Sequence, residues 1–331
     1  MAQGVMICGE VVEGALAPVT QELLGGGRKL ADDLGQELLA VLLGSELGDL
    51  GKEAIAFGAD KVYVVDDPLL KTYQGDSYVA VVEKVCKDAE PEVLLMGQTD
   101  TGRDLAPRLA FRLGTGVSMD CVELSIDPDT KNLLQTKPVY GGNAQAIYVC
   151  ESTRPQMATI RAKAMDALER DDSRQGEVVT VEVGIDESII KAKVVDTIMQ
   201  EVVGIKLEDA DVIISGGRGL GGPEPFKDLE ELAKLLGGAV GATRPPCDDG
   251  WVPAGMQIGL TGKIVSPTLY IAIAISGSSQ HLAGCSGAKN IVAINRDPEA
   301  NIFKVASYGV VGDYKQVLPA FTEKVKELLA G

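Results

Sequence analysis

Short apolar runs alternate with amphipathic segments along the first hundred residues. Four runs rich in Val, Ile and Leu are typical of buried β-strands, namely VMICGEVV (5–12), ELLAVLLG (37–44), KVYVVDD (61–67) and VLLMGQTD (93–100). Between the last two of them, SYVAVVEKVCKDAE (77–90) repeats apolar residues at intervals of three and four, as an amphipathic crossover helix does. The alternation predicts βαβ units around a mostly parallel sheet.

The first half departs from this plan in two places. Gly25, Gly26 and Gly27 interrupt the segment that should form the first helix, and because glycine is a poor helix former we expect a break or a frayed turn there. From about 117 to 183, β-type stretches follow one another with turn signals and without clear helices, which predicts antiparallel additions to the sheet. The polar stretch ALERDDSRQGE (167–177) is expected to be exposed.

The second half restarts the alternation. Its strand-like runs and its clearest helix are, in order, DVIISGG (211–217), PFKDLEELAKLLG (225–237), AVGATR (239–244), LYIAIAISG (269–277) and NIVAIN (290–295). This pattern predicts a second compact α/β domain.

Length and composition agree with two α/β domains. A chain of 331 residues exceeds the usual size of one domain, and 45% hydrophobic residues supply a sizeable core. Aromatic residues make up only 4% while glycines number 39, which favours α/β layers with many strand-to-helix turns over a β-sandwich. We place the boundary near 190–205 and assign residues 1–200 to the N-terminal domain and residues 201–331 to the C-terminal domain.

The acidic charge argues against some classes of partner. A formal net charge of −17 and a pI near 4.6 speak against a general nucleic-acid or anionic-membrane surface, because phosphate binding requires clustered Lys and Arg. The first residues, MAQGVMICGEVV, show no charged leader followed by a long apolar region, and no apolar run is long enough to span a bilayer. We expect a cytoplasmic protein without direct membrane insertion.

Cysteine and histidine usage limits the chemistry of any site. The six cysteines form no C-x-x-C pair and the chain has one histidine, so we expect buried free thiols and no Cys/His zinc site. That histidine, His281, lies in ISGSSQHLAG (275–284), where the run LYIAIA (269–274) ends and helix-compatible residues begin. Ligands of open α/β sheets bind at such ends, although a lone histidine there is more often a structural residue.

A glycine motif follows the first strand of the second half. Gly217, Gly219 and Gly222 satisfy G-x-G-x-x-G between a strand and a helix, as in a dinucleotide-binding fingerprint. The same glycines could simply shape a tight turn. The next strand ends in Thr243 and Arg244, not in the carboxylate that holds an NAD ribose, so an NADP-dependent dehydrogenase is an alternative at this point.

The other predicted strand ends carry groups of a similar kind. Because the carboxyl ends of parallel strands meet at one edge, these groups should form a cradle for a pyrophosphate and an anionic ring, built from backbone donors and fixed positive charge. The sequence has no G-x-S-x-G elbow, H-E-x-x-H motif or P-loop lysine, so the domain is expected to hold a cofactor without substrate machinery. The groups are Ser215 to Arg218, Thr243 with Arg244, the loop QIGLTGK (257–263), Ser276 to His281, and Asn295 with Asp297.

With these residues assembled, the second half resembles the C-terminal domain of the α subunit of electron-transfer flavoproteins. The first half resembles the family's N-terminal domain through GQTDTGRDLAPRLAFRLGTG (97–116) and MATIRAKA (157–164). The motifs that carry the resemblance in the second half are SGGRGLGG (215–222), GATRPPCDDGWVP (241–253), QIGLTGKIVSPTLYIAIAISGSSQH (257–281), AINRDPEANIF (293–303) and YGVVGDYKQVLP (308–319).

The resemblance implies an N-terminal α/β domain similar to the adenine-nucleotide hydrolases and a C-terminal doubly wound parallel-sheet domain that binds FAD. It also implies a heterodimer, because a separate β subunit would pack on the N-terminal domain and carry AMP or a second FAD. The pair would pass electrons between flavin dehydrogenases, such as the acyl-CoA dehydrogenases of fatty acid β-oxidation, and a membrane quinone reductase. Electron bifurcation with NADH oxidation is a variant, and in either case this chain turns over no substrate by itself.

The resemblance further implies residue roles. Thr261 would donate a hydrogen bond to flavin N5, Arg244 would lie over the isoalloxazine ring, and His281 would sit near its O2/N1 side, where charge accumulates on reduction. Four positions would contact the pyrophosphate or the adenosine half: Arg218, Thr243, Asn295 and Asp313. The full set of expected cofactor-binding residues is Arg218, Thr243, Arg244, Gln257, Ile258, Gly259, Thr261, Gly262, Ser276, Gly277, Gln280, His281, Asn295 and Asp313.

Two positions depart from the family pattern. Leu260 stands where the family's QTGK-type motif has a glutamine, so a hydrogen bond from that side chain to the flavin is lost. Ser279 replaces a residue that is often apolar. Both changes could alter the flavin potential or the resting orientation of the domain, and both leave Thr261, Arg244 and His281 in place.

Two other classes of function compete with an electron carrier. One is a stand-alone NAD(P)-dependent enzyme of a related dinucleotide-binding fold, such as a relative of deoxyhypusine synthase or of the NAD-dependent deacylases, which would need a substrate pocket with a base. The other is an adenine-nucleotide-binding regulatory protein, suggested by the first half alone.

Overall fold

The computed structural model describes residues 2–140, 144–196 and 205–330. The chain divides into two compact units, one formed by residues 1–139 with 145–198 and the other by residues 140–144 with 199–331. Each unit has its own parallel sheet with helices packed on it, which confirms the predicted α/β fold. The predicted domain boundary between residues 200 and 201 lies outside the described residues and stays a prediction.

The N-terminal unit contains the four strand regions and the helix over residues 77–90 that the alternating pattern predicts, together with elements that it does not predict. Its strands are β1 (Val5–Gly9), β2 (Val11–Val12), β3 (Ala15–Leu16), β4 (Leu38–Gly44), β5 (Lys61–Asp66), β6 (Val93–Gly97), β7 (Val117–Cys121), β8 (Glu123–Ile126), β9 (Leu133–Val139), β10 (Ala144–Tyr148), β11 (Gln156–Ile160) and β12 (Glu177–Thr180). Its helices are α1 (Pro18–Leu34), α2 (Leu50–Ala56), α3 (Gly75–Ala89) and α4 (Asp100–Leu113).

The main sheet of this unit has seven strands in the order β12-β5-β4-β1-β6-β11-β7, and the neighbouring strands run parallel. Strands β1 and β4 are buried along their whole length because helices cover both faces, so their sequences are continuous apolar runs. Separate clusters of buried side chains lie on the two faces. One includes Leu23 and Leu24 of α1, and the other includes Val82 of α3 and Leu109 of α4.

The prediction of antiparallel additions between 117 and 183 is wrong for β7, β11 and β12, which join the main sheet in parallel. Parallel pairing needs a crossover connection, and here the crossovers are made by loops and by a small second sheet, so the sequence carries no helical signal. Antiparallel pairing occurs between β8 and β9 of that second sheet and between β2 and β3. The polar stretch 167–177 is exposed throughout, as predicted.

The expected break in the first helix is also wrong, because α1 runs unbroken through its triple glycine. A Cβ on Gly25 would overlap the carbonyl oxygen of Asp166, and a Cβ on Gly26 would overlap the sulfur of Met165. The glycines therefore let residues 165–167 pack directly on the helix backbone. These contacts offset the low helix propensity of glycine. A prediction from propensity alone does not include them and therefore places a break here.

The C-terminal unit is built on a five-stranded parallel sheet in the order β14-β13-β15-β16-β17. Counted within the unit this order is 2-1-3-4-5, one of the two common doubly wound arrangements, with its switch point between β13 and β15. The strands are β13 (Val212–Gly216), β14 (Ala239–Ala242), β15 (Leu269–Ile273), β16 (Asn290–Asn295) and β17 (Tyr308–Val311). The helices are α5 (Phe226–Leu235), α6 (Arg244–Asp248), α7 (Ser279–Cys285) and α8 (Tyr314–Ala330).

Helices cover both faces of this sheet. Cys285 and Leu282 of α7 pack on the face that carries Tyr270, and Leu229 of α5 and Leu318 of α8 pack on the opposite face. The carboxyl edge of the sheet is therefore left to the loops that follow the strands.

Two expectations from composition can be compared with the fold. All six cysteines are free thiols, four of them buried and two half-buried. Burial raises the pKa of the thiol of Cys86 to about 12, so it stays protonated near neutral pH. In the described part of the chain, no helix combines the length and the apolar character needed to cross a membrane.

Substituting Gly25 by alanine tests why α1 tolerates three glycines. Alanine is the better helix former, but its methyl group would overlap the Asp166 carbonyl, so we expect Gly25→Ala to lower the free energy of unfolding by about 1–3 kcal/mol. Urea denaturation followed by far-UV circular dichroism measures the change. Gly116→Ala, at a position where an added Cβ meets no atom, is the matched control, and a Gly25→Ala variant as stable as wild type contradicts the packing explanation.

Candidate functional site

The candidate site lies along the carboxyl edge of the C-terminal sheet, where the loops after the five strands come together. Hydrogen bonds join these loops: the Thr243 N–H donates to the Gly216 carbonyl (3.0 Å), Asn295 Nδ2 to the Ile275 carbonyl (2.8 Å), and the Gly312 N–H to the Asn295 carbonyl (2.9 Å). Open α/β sheets bind ligands at this edge, beside the strands between which the order reverses. Here those strands are β13 and β15.

The glycine motif after β13 allows a close approach of two backbones. A Cβ on Gly217 would overlap the carbonyl oxygen of Ala274, and a Cβ on Gly219 would lie 2.9 Å from the same oxygen. Gly221, with φ of 85°, reverses the chain at the end of the loop. The loop thus lies directly on the end of β15, and it exposes Arg218, which makes no ion pair within the described residues.

The loop after β15 presents a row of free backbone donors. Ala274 and Gly277 have φ of 54° and 80°, so the chain turns sharply, and a Cβ on Gly277 would overlap the backbone nitrogen of Ile302. Within the described residues, the backbone N–H groups from Ser276 to Gln280 donate to no other protein group. Successive free N–H groups beside a tight turn make an anion-binding concavity.

A tight loop, residues 257–263, precedes β15 in the chain and makes hydrogen bonds to the end of β14 and to helix α7. The Ile258 N–H donates to the carbonyl of Ala242 (2.8 Å), and the Leu260 N–H donates to the carbonyl of Gln280 (2.8 Å). The loop is therefore held at both ends by backbone hydrogen bonds. Through them, two of the sequence-predicted site segments come into direct contact.

Side chains on this loop also contact one another. Gln257 Nε2 donates to Thr261 Oγ1 at 3.0 Å, so two predicted ligand residues are neighbours. A Cβ on Gly262 would overlap the carbonyl oxygen of Gln257, which explains the glycine after Thr261. Leu260 lies at the tip with 58% of its surface exposed. An exposed leucine at the tip of a polar loop leaves an apolar contact available to a ligand.

Arg244 begins helix α6 directly after Thr243, which is buried. Its Nε atom lies 3.0 Å from Asp248 Oδ2, and the two side chains are 66% and 59% exposed. Such surface pairs contribute about 0–1 kcal/mol. The guanidinium can therefore turn from Asp248 toward a negatively charged ligand at small cost.

Asn295 and Asp313 hold the loops in which they lie. Asn295 Oδ1 accepts a hydrogen bond from the Asp297 N–H (3.0 Å), and Asp313 Oδ1 accepts one from the Lys315 N–H (3.0 Å) at the start of α8. The predicted contacts of these two side chains with a ribose or a pyrophosphate stay predictions.

His281 is in the core of the unit, with only 4% of its surface exposed. Its Nδ1 lies 3.0 Å from the carbonyl oxygen of Ile258, and its Nε2 lies 2.9 Å from the hydroxyl of Tyr270. Burial lowers the pKa of His281 to about 4, against a smaller opposite effect of the Ile258 hydrogen bond, so the ring is neutral near pH 7. The predicted contact of His281 with a flavin stays a prediction.

Sequence reasoning missed two tyrosines that support this edge. Tyr270 of β15 is fully buried and hydrogen-bonded to His281, and Tyr314 of α8 donates to the carbonyl of Leu220 in the glycine loop (2.7 Å). A signal for Tyr270 was available, because a hydroxyl inside a buried apolar strand needs a partner. No comparable signal marks Tyr314, because its partner is a backbone carbonyl distant in sequence.

The edge as a whole suits a long anionic ligand. Arg244 follows one edge strand, β14, and Asp313 follows the other, β17. At about 4.8 Å per strand spacing, the two ends are about 19 Å apart. The free N–H groups lie at the switch point between them, which is where a pyrophosphate would bind. The donor set therefore fits a dinucleotide that extends along the edge.

The buried imidazole makes the stability of this unit depend on pH. The folded pKa of His281, about 4, is below its ordinary value of 6.5, so between these values the unfolded chain binds a proton that the folded chain does not. The contribution is complete above pH 6.5 and is lost as the pH falls toward 4. It amounts to about 3 kcal/mol. Tyr270, which contacts the ring, and Cys285, on the same helix as His281, stay neutral because burial raises the pKa of each.

The measurement is urea unfolding at several pH values, followed by the fluorescence of Trp251, the only tryptophan, which packs in the C-terminal unit. His281→Gln is the reference, because the carboxylates of the two proteins titrate alike and cancel in the difference. Wild type should lose stability faster than the variant between pH 6.5 and 4. Parallel pH profiles would show that His281 is not held neutral by the fold.

Comparison with known proteins gives a family for both units. Residues 5–186 match the model of the electron transfer flavoprotein domain, and residues 206–286 match that of the electron transfer flavoprotein FAD-binding domain. The chain is 48% identical to the electron transfer flavoprotein subunit alpha of Thermoanaerobacterium thermosaccharolyticum, over 98% of each chain. It is 46% identical to the subunit alpha of Megasphaera elsdenii, over 98% of this chain and 97% of that one.

A less similar relative has a more specific name. The acryloyl-CoA reductase electron transfer subunit beta of Anaerotignum propionicum is 38% identical, over 95% of this chain and 93% of its own. Both family matches and the full-length relatives confirm the resemblance carried by the motifs of the second half. The chain belongs to the electron transfer flavoprotein alpha-subunit family.

Proposed function

We propose that this chain is the α subunit of a heterodimeric electron transfer flavoprotein and that its C-terminal unit binds FAD along the carboxyl edge of the sheet. The observation that carries the proposal is the row of free N–H groups from Ser276 to Gln280 at the switch point, with Arg218 and Arg244 exposed on neighbouring loops. A pyrophosphate suits such donors, and a flavin ring that gains negative charge on reduction suits the cations. The description of the matching family model supports the same assignment.

The residues divide by chemistry between the two halves of the cofactor. We assign the pyrophosphate to the backbone donors after β15 and to Arg218, and the ring to the 257–263 loop with Thr261 and Arg244. FAD, when bound, supplies the electron chemistry. The chain supplies hydrogen-bond donors, a hydroxyl at Thr261 and a cation that turns from Asp248 toward the ring.

The partners follow from the family and stay part of the proposal. A β subunit that carries AMP or a second FAD would complete the heterodimer. Acyl-CoA-type dehydrogenases and a quinone reductase would be its redox partners. The name of the Anaerotignum propionicum relative, which refers to an acryloyl-CoA reductase, supports a partner that acts on a CoA thioester. Whether the pair bifurcates electrons depends on the second flavin, which would lie on the other chain.

The visible spectrum and the released-flavin stoichiometry of the chain purified with its β subunit test the proposal. We expect a yellow complex in which one FAD per heterodimer belongs to this chain. One FAD with AMP indicates a simple one-flavin carrier, and two FAD with bleaching by NADH indicate bifurcation. A complex that stays colourless after FAD is added would overturn the flavoprotein assignment.

Arg244→Ala tests the proposed cation beside the ring. Loss of one exposed positive charge should disfavour the negatively charged reduced flavin by about 1 kcal/mol, which lowers its one-electron reduction potential by about 40 mV. A spectroscopic redox titration of the purified complex measures the shift. Lys227→Ala removes an exposed positive charge from α5 of the same unit and is the matched control. Equal reduction potentials in Arg244→Ala and Lys227→Ala would contradict the proposed position of Arg244 beside the flavin ring.

A further inference from the structure

A buried chain of hydrogen bonds connects the middle of the sheet to the 257–263 loop. It begins at the hydroxyl of Tyr270 in β15, passes through the imidazole of His281 in α7, and ends at the carbonyl of Ile258. All three residues are buried. Within the described residues, no backbone N–H donates to the Ile258 carbonyl, so the imidazole is the donor that satisfies this buried acceptor.

The partners fix the protonation of the ring. A carbonyl oxygen can only accept, so the hydrogen of a neutral imidazole must be on Nδ1, where it is donated to Ile258. Nε2 then carries a lone pair and accepts from the Tyr270 hydroxyl. The other tautomer would place two acceptors opposite each other at Ile258. The Ile258 carbonyl therefore selects the tautomer, and the Tyr270 hydroxyl satisfies the lone pair on Nε2 and holds the ring in this orientation.

We propose that Tyr270 is a positioning residue for the flavin site, which holds His281 as a neutral Nδ1–H donor and thereby fixes the Ile258 carbonyl and the loop that carries Gln257 and Thr261. The inference rests on the proposed function, because it concerns how the FAD-binding loop is held. Tyr270 acts through His281, with which its hydroxyl makes a hydrogen bond.

The contacts of the loop explain why this fixation matters. The backbone bonds of Ile258 to Ala242 and of Leu260 to Gln280 hold the two sides of the loop. The imidazole holds the buried carbonyl of Ile258, which lies between these two bonds in the sequence of the loop. On the α7 side, Gly284 packs so closely that a Cβ would overlap the backbone of Gly259. A small displacement of the imidazole therefore shifts the segment from which Gln257 and Thr261 project.

The surroundings keep this chain uncharged. Burial raises the pKa of the Tyr270 hydroxyl well above its ordinary value and that of the Cys285 thiol to about 12, and no charged side chain contributes to the pKa of His281. The buried Ser215 hydroxyl on β13 lowers the pKa of Tyr270 and so partly opposes the larger, raising effect of burial. The neutral Nδ1–H form is thus the stable one across the pH range in which a flavin protein is handled.

The single histidine makes the proposal directly measurable. Incorporating ¹⁵N-histidine into this chain, purified with unlabelled β subunit and a histidine-free affinity tag, gives the imidazole signals of His281 alone. We expect the ¹⁵N shifts and proton couplings of the Nδ1–H tautomer at neutral pH, both in the flavin-loaded complex and after removal of the flavin. An Nε2–H tautomer or an imidazolium in either state overturns the proposal.

Tyr270→Phe tests the positioning role. The change removes only the hydroxyl and leaves the aromatic ring, so we expect a folded protein in which Nε2 of His281 has lost its hydrogen-bond donor. The ¹⁵N signal of Nε2 should shift, and the dissociation constant for FAD should rise by about fivefold to tenfold because the imidazole is less firmly held. Tyr308→Phe removes the same hydroxyl from an exposed position on β17 and should leave both readouts unchanged. Wild-type FAD binding in Tyr270→Phe overturns the positioning role, and the labelled wild-type protein decides the tautomer even when a variant fails to fold.

The two proposals fail in different ways. A wild-type complex that binds no FAD contradicts the proposed function, and the tautomer of the flavin-free protein still tests the hydrogen-bonded chain. A wild-type complex that binds FAD with the wrong tautomer contradicts the inference about Tyr270 and leaves the FAD site standing.

Discussion

The arrangement of the C-terminal unit depends on the close backbone contact between the loop after β13 and the end of β15. Only a residue without a Cβ fits at Gly217, because the carbonyl of Ala274 occupies that space. The same contact accompanies the sharp turn at Ala274 and Gly277, and within the described residues the N–H groups from Ser276 to Gln280 have no protein acceptor. The sheet thus brings two loops together and leaves donors free at the point where the strand order reverses, and the anion-binding character of the edge follows from that packing.

The arginine side chains at this edge are exposed, and the titratable side chains beneath it are buried and neutral. The cations that can meet a ligand, Arg218 and Arg244, are exposed, and the one surface pair of Arg244 is weak enough to exchange. The titratable groups beneath the edge, His281 and Tyr270, are buried and neutral. Because burial lowers its pKa, His281, the only histidine, is neutral and donates a hydrogen bond to the 257–263 loop. A charged imidazole at that depth would destabilise the fold, because a buried charge without a counterion loses its solvation free energy and gains no compensating attraction.

The pattern of apolar residues was enough to predict β1, β4, β5 and β6 of the first unit and β13 to β16 of the second, because buried strands are largely continuous apolar runs. It failed where tertiary contacts decide the outcome. The triple glycine of α1 is explained by the packing of Met165 and Asp166, which are about 140 residues away and outside any local window. Strands β7, β11 and β12 join the sheet in parallel although the described residues from β7 to β11 and from β11 to β12 contain no α-helix. For the site, the pattern located the edge, but the partners that make His281 structural lie on β15 and on the 257–263 loop.

Leu260 shows how far the site can vary without losing its shape. The loop is held through the backbone, by the bonds of Leu260 to Gln280 and of Ile258 to Ala242 and to His281, and none of these uses the Leu260 side chain. Replacing the glutamine of the family pattern by leucine therefore leaves the loop geometry intact and changes only what its tip offers, an exposed apolar surface in place of a hydrogen-bond donor. In the proposed FAD site, the backbone would therefore set binding and a few exposed side chains would tune the cofactor, so the two properties would change independently.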